Sequence, residues 1–311
     1  MARASRLFNL DTVMIDVVMM IEGLPVRGGD ALSSERVLTA GGGFNVMSAA
    51  ARHGMEVVYA GQLGAGPFSD IARAALDSEG IHVPIAADQS DDVGFCVVLV
   101  DDEGERTFVT SPGAEKRLRA SALGTLDVRA QDYVFLSGYS VVYEEIGAAV
   151  AQWLTTLPDE VVVAFDPAPR ALDIPAAMLE LVLARADWLL CNASEAVQLA
   201  GSDTLANALD NLWTRTGRQG IVIHNAEEGC LVKTHEIPAT RIPAFTTSVL
   251  DTNGAGDTHD GVFLAELAQG NSVLEAALRA NAAAALAISR FGPATCPTRD
   301  EVTQWLAIEM V

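Results

Sequence analysis

The sequence predicts an α/β protein: a doubly wound, mostly parallel sheet flanked by helices, with a small β-sheet lid. Three observations carry the prediction. Short β-branched runs alternate with alanine-rich stretches along most of the chain. The runs are continuously apolar, as strands covered on both faces must be. The stretches between them end in residues that cap helices.

Strands are expected at Val57–Leu63, Tyr133–Ser137, Val161–Asp166, Trp188–Cys191 and Ile221–His224. A helix is expected from Asn45 to His53, stopped by Gly54. Ser272 and Glu275 have the spacing of a capping box opening a helix through Ser289, and Thr298 with Glu301 repeats that spacing. Alternation of this kind implies right-handed crossovers between neighbouring strands. Two regions break it. Val13 to Leu38 shows no helical period, and two strand-like runs within Phe95 to Thr110 flank the turn Asp101-Asp102-Glu103-Gly104. Extended segments outside the core can pair with one another into a separate sheet that serves as a lid. The expectation is therefore a single domain over residues 1–311, with lid segments at approximately 12–38 and 93–112.

Composition narrows the function. Half of the 311 residues are hydrophobic and 20% are charged, enough for a large core. The formal net charge of -21 repels phosphate backbones and anionic lipid, so neither nucleic acid nor a membrane is an expected partner. Cys96, Cys191, Cys230 and Cys296 lie too far apart in sequence for a CxxC pair, which argues for a reducing compartment. The first residues lack the apolar core of a signal peptide, and the apolar run Val13 to Ile21 is short and broken by Asp16. A cytoplasmic location is expected.

The strongest chemical signal is Asp251-Thr252-Asn253-Gly254-Ala255-Gly256-Asp257, which leads into a helical stretch. A Gly-Ala-Gly turn lets successive amides face one concavity, and the start of a helix adds its positive dipole end. Together they suit an anion such as a transferring phosphoryl group. A carboxylate at Asp257 could then accept a proton from an attacking hydroxyl. The plainer alternative is a glycine turn with Asp257 as a helix cap. Upstream, Gly41-Gly42-Gly43 precedes a helix and lets a ligand approach the backbone. There Asn45 offers both donor and acceptor, or simply caps the helix.

The run DTNGAGDTHDGVF resembles the C-terminal signature DTxGAGDxFxGGF of the ribokinase-like (PfkB) carbohydrate kinases. His259 replaces the usual aromatic and Val262 replaces the second glycine of the later pair. Ala40-Gly41-Gly42-Gly43-Phe44-Asn45 and the following helix resemble the family's GGxxxN signature, with Ala40 for the first glycine. Met14-Ile15-Asp16 then Leu24-Pro25 resembles NxD…LP, with Met14 for Asn. Asn192-Ala193-Ser194-Glu195 matches NxxE, a pattern that also reads as a capping box. Asp166 to Arg170 resembles DPNxR with Ala168 for Asn, and of TxGxxG only Gly229 survives in the run His224 to Gly229.

The resemblance implies ATP-dependent phosphorylation of a hydroxyl on a small sugar or sugar-like molecule. It implies Asp257 as general base beside an anion hole of Gly254, Ala255 and Gly256. Substrate contacts would come from Asp16, Gly41, Gly42, Asn45 and Arg170. Nucleotide contacts would come from Asn192, His224, Gly229, Asn253 and Gly256. Glu195 would serve Mg2+ through water, and Asp251 a monovalent cation such as K+. A homodimer through the lid sheet is implied as well.

The chain has 20 basic residues against 41 acidic ones, which favours an unphosphorylated acceptor. Phe44, next to Asn45, could stack on a base and keeps a nucleoside acceptor open, and the weak TxGxxG match leaves room for a silent binding protein. A Rossmann dehydrogenase has no support, because no GxGxxG follows the first strand. His259 is expected to pack or to face solvent, and the other histidines are too scattered in sequence to suggest a metal cluster.

Overall fold

The computed structural model describes residues 4–216 and 218–309. Its strands are β1 (Arg6–Asn9), β2 (Val13–Met20), β3 (Glu35–Gly42), β4 (Glu56–Tyr59), β5 (Phe95–Val100) and β6 (Arg106–Ser111). They continue as β7 (Tyr133–Ser137), β8 (Val162–Asp166), β9 (Trp188–Asn192), β10 (Gly220–His224), β11 (Cys230–Thr234) and β12 (Thr240–Ile242). Eight form one sheet in the order β12-β11-β10-β9-β8-β7-β1-β4, parallel from β10 to β4 and antiparallel at the β10–β11–β12 edge. All five expected strands lie in this sheet. The first is shorter than its apolar run, because the chain turns away after Tyr59 toward Gly61.

Burial on both faces explains the continuous apolar runs. Alternate residues of one strand enter different cores: Phe135 packs into one, while Val134 and Leu136 pack into the other. The first core holds the helices Gly43–Arg52, Ala255–Ala268 and Val273–Ile288, and the second holds those on the opposite face. The helix Ala255–Ala268 is buried nearly all round, from Thr258 to Glu266. Ser272 caps Val273–Ile288 by accepting from the Glu275 amide at 3.3 Å. Thr298 and Glu301 close a full capping box on Arg299–Glu309.

The first glycine-led helix starts at Gly43, with Gly42 as its cap residue, so Asn45 lies inside the helix instead of capping it. The regions without helical period form a second sheet in the order β3-β2-β5-β6. Its β5–β6 hairpin turns at Gly104, where the Asp101 carboxylate accepts from the amides of Glu103 and Glu105. Among the described residues no helix is long and apolar enough to cross a membrane.

Candidate active site

Parallel strands deliver their carboxyl ends to one edge of the sheet, and β4 and β7 leave β1 on opposite sides. A crevice therefore opens beside β1 at that edge. Around it the strand ends carry Asn9 at the end of β1 and Asp11 beyond it, Ser137 on β7, Asp166 on β8, Asn192 on β9 and His224 on β10.

The glycine turn lies over this edge. Gly254 is left-handed at φ 72° and precedes the helix Ala255–Ala268. Among the described residues the amides of Gly254, Gly256 and Asp257 have no acceptor, whereas Ala255 donates to the Thr252 carbonyl at 3.3 Å. The open amides thus run from Gly254 through Gly256 to Asp257 and skip Ala255, a correction to the expected Gly-Ala-Gly set. Asp257 sits in the first turn, half-buried, and its Oδ2 accepts from Asn45 Nδ2 at 2.9 Å. Burial pushes its carboxyl above the ordinary range, against the pull of Asn45 and His224.

Two further acids face Asp257. Asp16 on β2 is pushed up to about 6, first by burial and then by the charge of Asp257. Its carboxylate lies over Gly41, where a Cβ would stand 2.3 Å from Oδ2, so any side chain there would displace it. Gly42 follows at the foot of the helix that bears Asn45. Asp11 is buried and pushed up to about 7, chiefly by burial. It accepts from Ser137 Oγ at 2.6 Å and from the Thr12 amide at 2.7 Å. Sequence reasoning missed Asp11; the signal available was an acid just past the end of an apolar strand.

Other expected residues fall less simply. Glu195 and Asn192 exchange 2.9 Å bonds in a capping box, which leaves Glu195 Oε1 free of that cap. Burial raises Glu195, with Asp257 adding to the rise. Arg170 is exposed and bonds Asp173 at 2.9 Å. Asp251 is spent on protein groups: Arg106 from β6, the Asn253 amide at 2.7 Å and the Gly292 amide at 3.1 Å. A guanidinium thus stands where a monovalent cation was expected, so the residues present do not fit that ion. Phe44 is 5% exposed within the core and cannot stack on a base in the site.

Beside the glycine turn is a cavity of about 540 Å³, lined by His224, Gly229, Phe245, Gly256, His259 and Ala285 among others. Its size and largely apolar wall suit a flat heterocycle. His259 is 3% exposed, so it packs, but against the His224 ring at 4.4 Å between centroids. With fully buried Asp260 the two histidines form a compact cluster that sequence spacing did not reveal. Burial lowers both imidazoles: His224 falls to about 4, and His259 falls well below its ordinary value. Burial likewise raises Asp166 and Asp260, which repel each other and Glu195.

Acids at the strand ends, an apolar cavity and a glycine-led helix start stand together at one edge of the sheet, an arrangement that suits moving a phosphoryl group onto a small molecule. The chain belongs to the pfkB family of carbohydrate kinases, whose model matches residues 4–300. It is thus an ATP-dependent carbohydrate kinase of ribokinase fold. It is 32% identical over 293 residues to the uncharacterized sugar kinase YegV of Escherichia coli K12, covering 93% of this chain and 90% of that one. The fold matches Arabidopsis thaliana ribokinase complexed with ribose and ATP at a TM-score of 0.81, with 21% identity, covering 98% of this chain and 99% of that one. It also matches Salmonella enterica aminoimidazole riboside kinase, complexed with its riboside and an ATP analogue, at a TM-score of 0.81 and 22% identity, covering 97% and 100% of the two chains.

Proposed function

We propose that this kinase transfers the γ-phosphoryl group of ATP to a hydroxyl of a small, unphosphorylated sugar or sugar-like polyol, with Asp257 as general base. The observation that carries the reading is Asp257, held by Asn45 at 2.9 Å beside amides without acceptors at a helix start. Asn45 Oδ1 is buried and unpartnered, an acceptor available to a hydroxyl of the substrate.

In this reading Asp16 and Asn45 orient the hydroxyls, and Asp257 takes the proton as the alcohol oxygen attacks in line. The amides of Gly254, Gly256 and Asp257 stabilise the charge on the transferring group. The nucleotide base occupies the cavity beside His224 and Gly229. Glu195 would hold magnesium through water, which suits a carboxylate with no Lys or Arg partner among the described residues; when bound, the ion would neutralise phosphate charge. The second sheet acts as the lid, and Arg106 ties it to Asp251 at the mouth of the glycine turn. Exposed Leu38, Phe108 and Val109 on that sheet fit pairing with a second copy.

An ADP-release assay over a panel of sugars, polyols and nucleosides tests the substrate class. Asp257→Asn should lower kcat about 10²–10⁴-fold while ATP still binds. Near-normal turnover by that variant would remove Asp257 from the role of base. A nucleoside as the best acceptor would move the chain to the riboside branch of the same chemistry.

A further inference from the structure

Behind the glycine turn His224, which also lines the proposed nucleotide cavity, meets two residues that the phosphoryl transfer just described does not use. His224 ends β10, while His259 and Asp260 lie one turn into the helix Ala255–Ala268. Their donor atoms all fall within 4.8 Å of one another. Neither ring nitrogen of His259 nor either carboxylate oxygen of Asp260 meets the geometry of a hydrogen bond among the described residues, although the Asn281 side chain faces His259. His224 Nε2 approaches Asp260 Oδ1 to 3.0 Å without the alignment of a hydrogen bond. Asp260 is 0% exposed and His259 is 3% exposed, so bulk solvent does not reach these atoms.

An unpartnered buried carboxylate costs several kcal/mol, so such groups are paired, protonated or bound to a cation. Among the described residues no Lys or Arg pairs with Asp260, and its neighbours Asp166, Glu195 and Asp257 are acids as well. Two imidazole nitrogens and one carboxylate oxygen suit a borderline divalent ion, and three such ligands leave a coordination position open. His224 and His259 also line the cavity, which puts the cluster at its wall. Magnesium prefers oxygen ligands and fits this set poorly. We propose that His224, His259 and Asp260 form a binding site for one divalent transition-metal ion of the zinc, cobalt or manganese class, at the wall of the nucleotide cavity.

The test uses tag-free, chelator-treated protein without nucleotide, so its outcome is independent of the kinase roles above. Zn2+ is titrated calorimetrically, and Co2+ by visible absorption. The expected result is one equivalent bound, with the ligand-field bands of nitrogen and oxygen donors. The four buried cysteines would instead give a near-ultraviolet thiolate band. Histidine-ring NMR of the wild type should show two of the five histidines shifting with Zn2+. His259→Phe, which keeps a ring in the core, and Asp260→Asn should each weaken binding at least tenfold, with melting curves to confirm folding. No saturable binding by the wild type overturns the proposal and leaves Asp260 protonated against His224. A thiolate band, or equal binding by the wild type and both folded variants, overturns it too. If neither variant folds, the wild-type spectra decide alone.

Discussion

Gly261 marks the crossing of the helices Gly43–Arg52 and Ala255–Ala268, and Gly261→Ala tests whether that crossing sets the site. A Cβ there would stand 2.4 Å from the Val46 carbonyl oxygen and 2.7 Å from the Ala49 Cβ. A carbon–oxygen contact needs about 3.3 Å, so the helices must part by roughly 0.9 Å. Overpacking of this size costs about 1–3 kcal/mol, a melting-temperature drop of roughly 2–5 °C by calorimetry. The same opening acts on the site. Asn45 precedes Val46, and its 2.9 Å bond to Asp257 does not survive a displacement of that size. Misplacement by about 1 Å costs up to about 10²-fold in rate, so kcat for ADP release should fall about 10–100-fold with nucleotide affinity retained. In combination with Asn45→Ala the two losses should not multiply, because both act through one contact. A lowered melting temperature with unchanged kcat, or losses that multiply, would refute the idea that this helix crossing positions the carboxylate.

The remaining predictions concern ionisation and the lid. Asp16 titrates near 6, ionised above and protonated below, so KM for the acceptor should rise as pH falls through about 6 while KM for ATP stays flat; Asp16→Asn should abolish that step. Glu266 is buried among His53 at 3.0 Å, Arg299 at 3.0 Å and Arg279 at 3.2 Å. Burial alone would raise its carboxyl, but these partners hold it down at about 2. A depressed carboxylate stabilises the fold above its unfolded value, near 4.3, and loses that contribution as pH falls toward 2. Melting scans from pH 6 to 2 should therefore steepen below about 4.5, and Glu266→Leu should cost about 3 kcal/mol by leaving buried Arg279 without its carboxylate. With Arg106 set against Asp251, activity should be equal in potassium and tetramethylammonium buffers, and Arg106→Ala should lower it and create a potassium response. Strong potassium activation of the wild type would count against that pairing.

Much of the architecture is legible because it rests on burial. A strand covered on both faces must be apolar at every position, and Tyr133–Ser137 and Trp188–Cys191 declare themselves for that reason. Strand β1 is harder: Arg6–Asn9 places Arg6 and Asn9 in the sheet, and Arg6 is buried only because it pairs with Asp132 across 126 positions. No local window contains that partner. The site divides the same way. The glycine turn is local, so its cup of amides is readable, but the loss of Ala255 to Thr252 is a detail of geometry. Asn45 and Asp257 lie 212 positions apart, and only their matching motifs suggest a meeting. His224 and His259 each look isolated in sequence. They meet because β10 ends beneath the first turns of the buried helix, a juxtaposition that no spacing rule encodes.

Strand β3 ends at Gly42 and the helix bearing Asn45 begins at Gly43, with no residue between them. Strand β2, which bears Asp16, leaves β1 by only the three residues Leu10 to Thr12. Two short rigid joints therefore connect the outer sheet to the floor of the crevice, and neither contains slack. In the proposed lid closure that sheet would tilt inward and turn both joints together, so whichever molecule arrives first would partly arrange the seat of the second. By thermodynamic reciprocity acceptor and nucleotide should strengthen each other's binding by one common factor. The lone nucleotide would then meet an unassembled centre, in which water is a poor rival for the phosphoryl group.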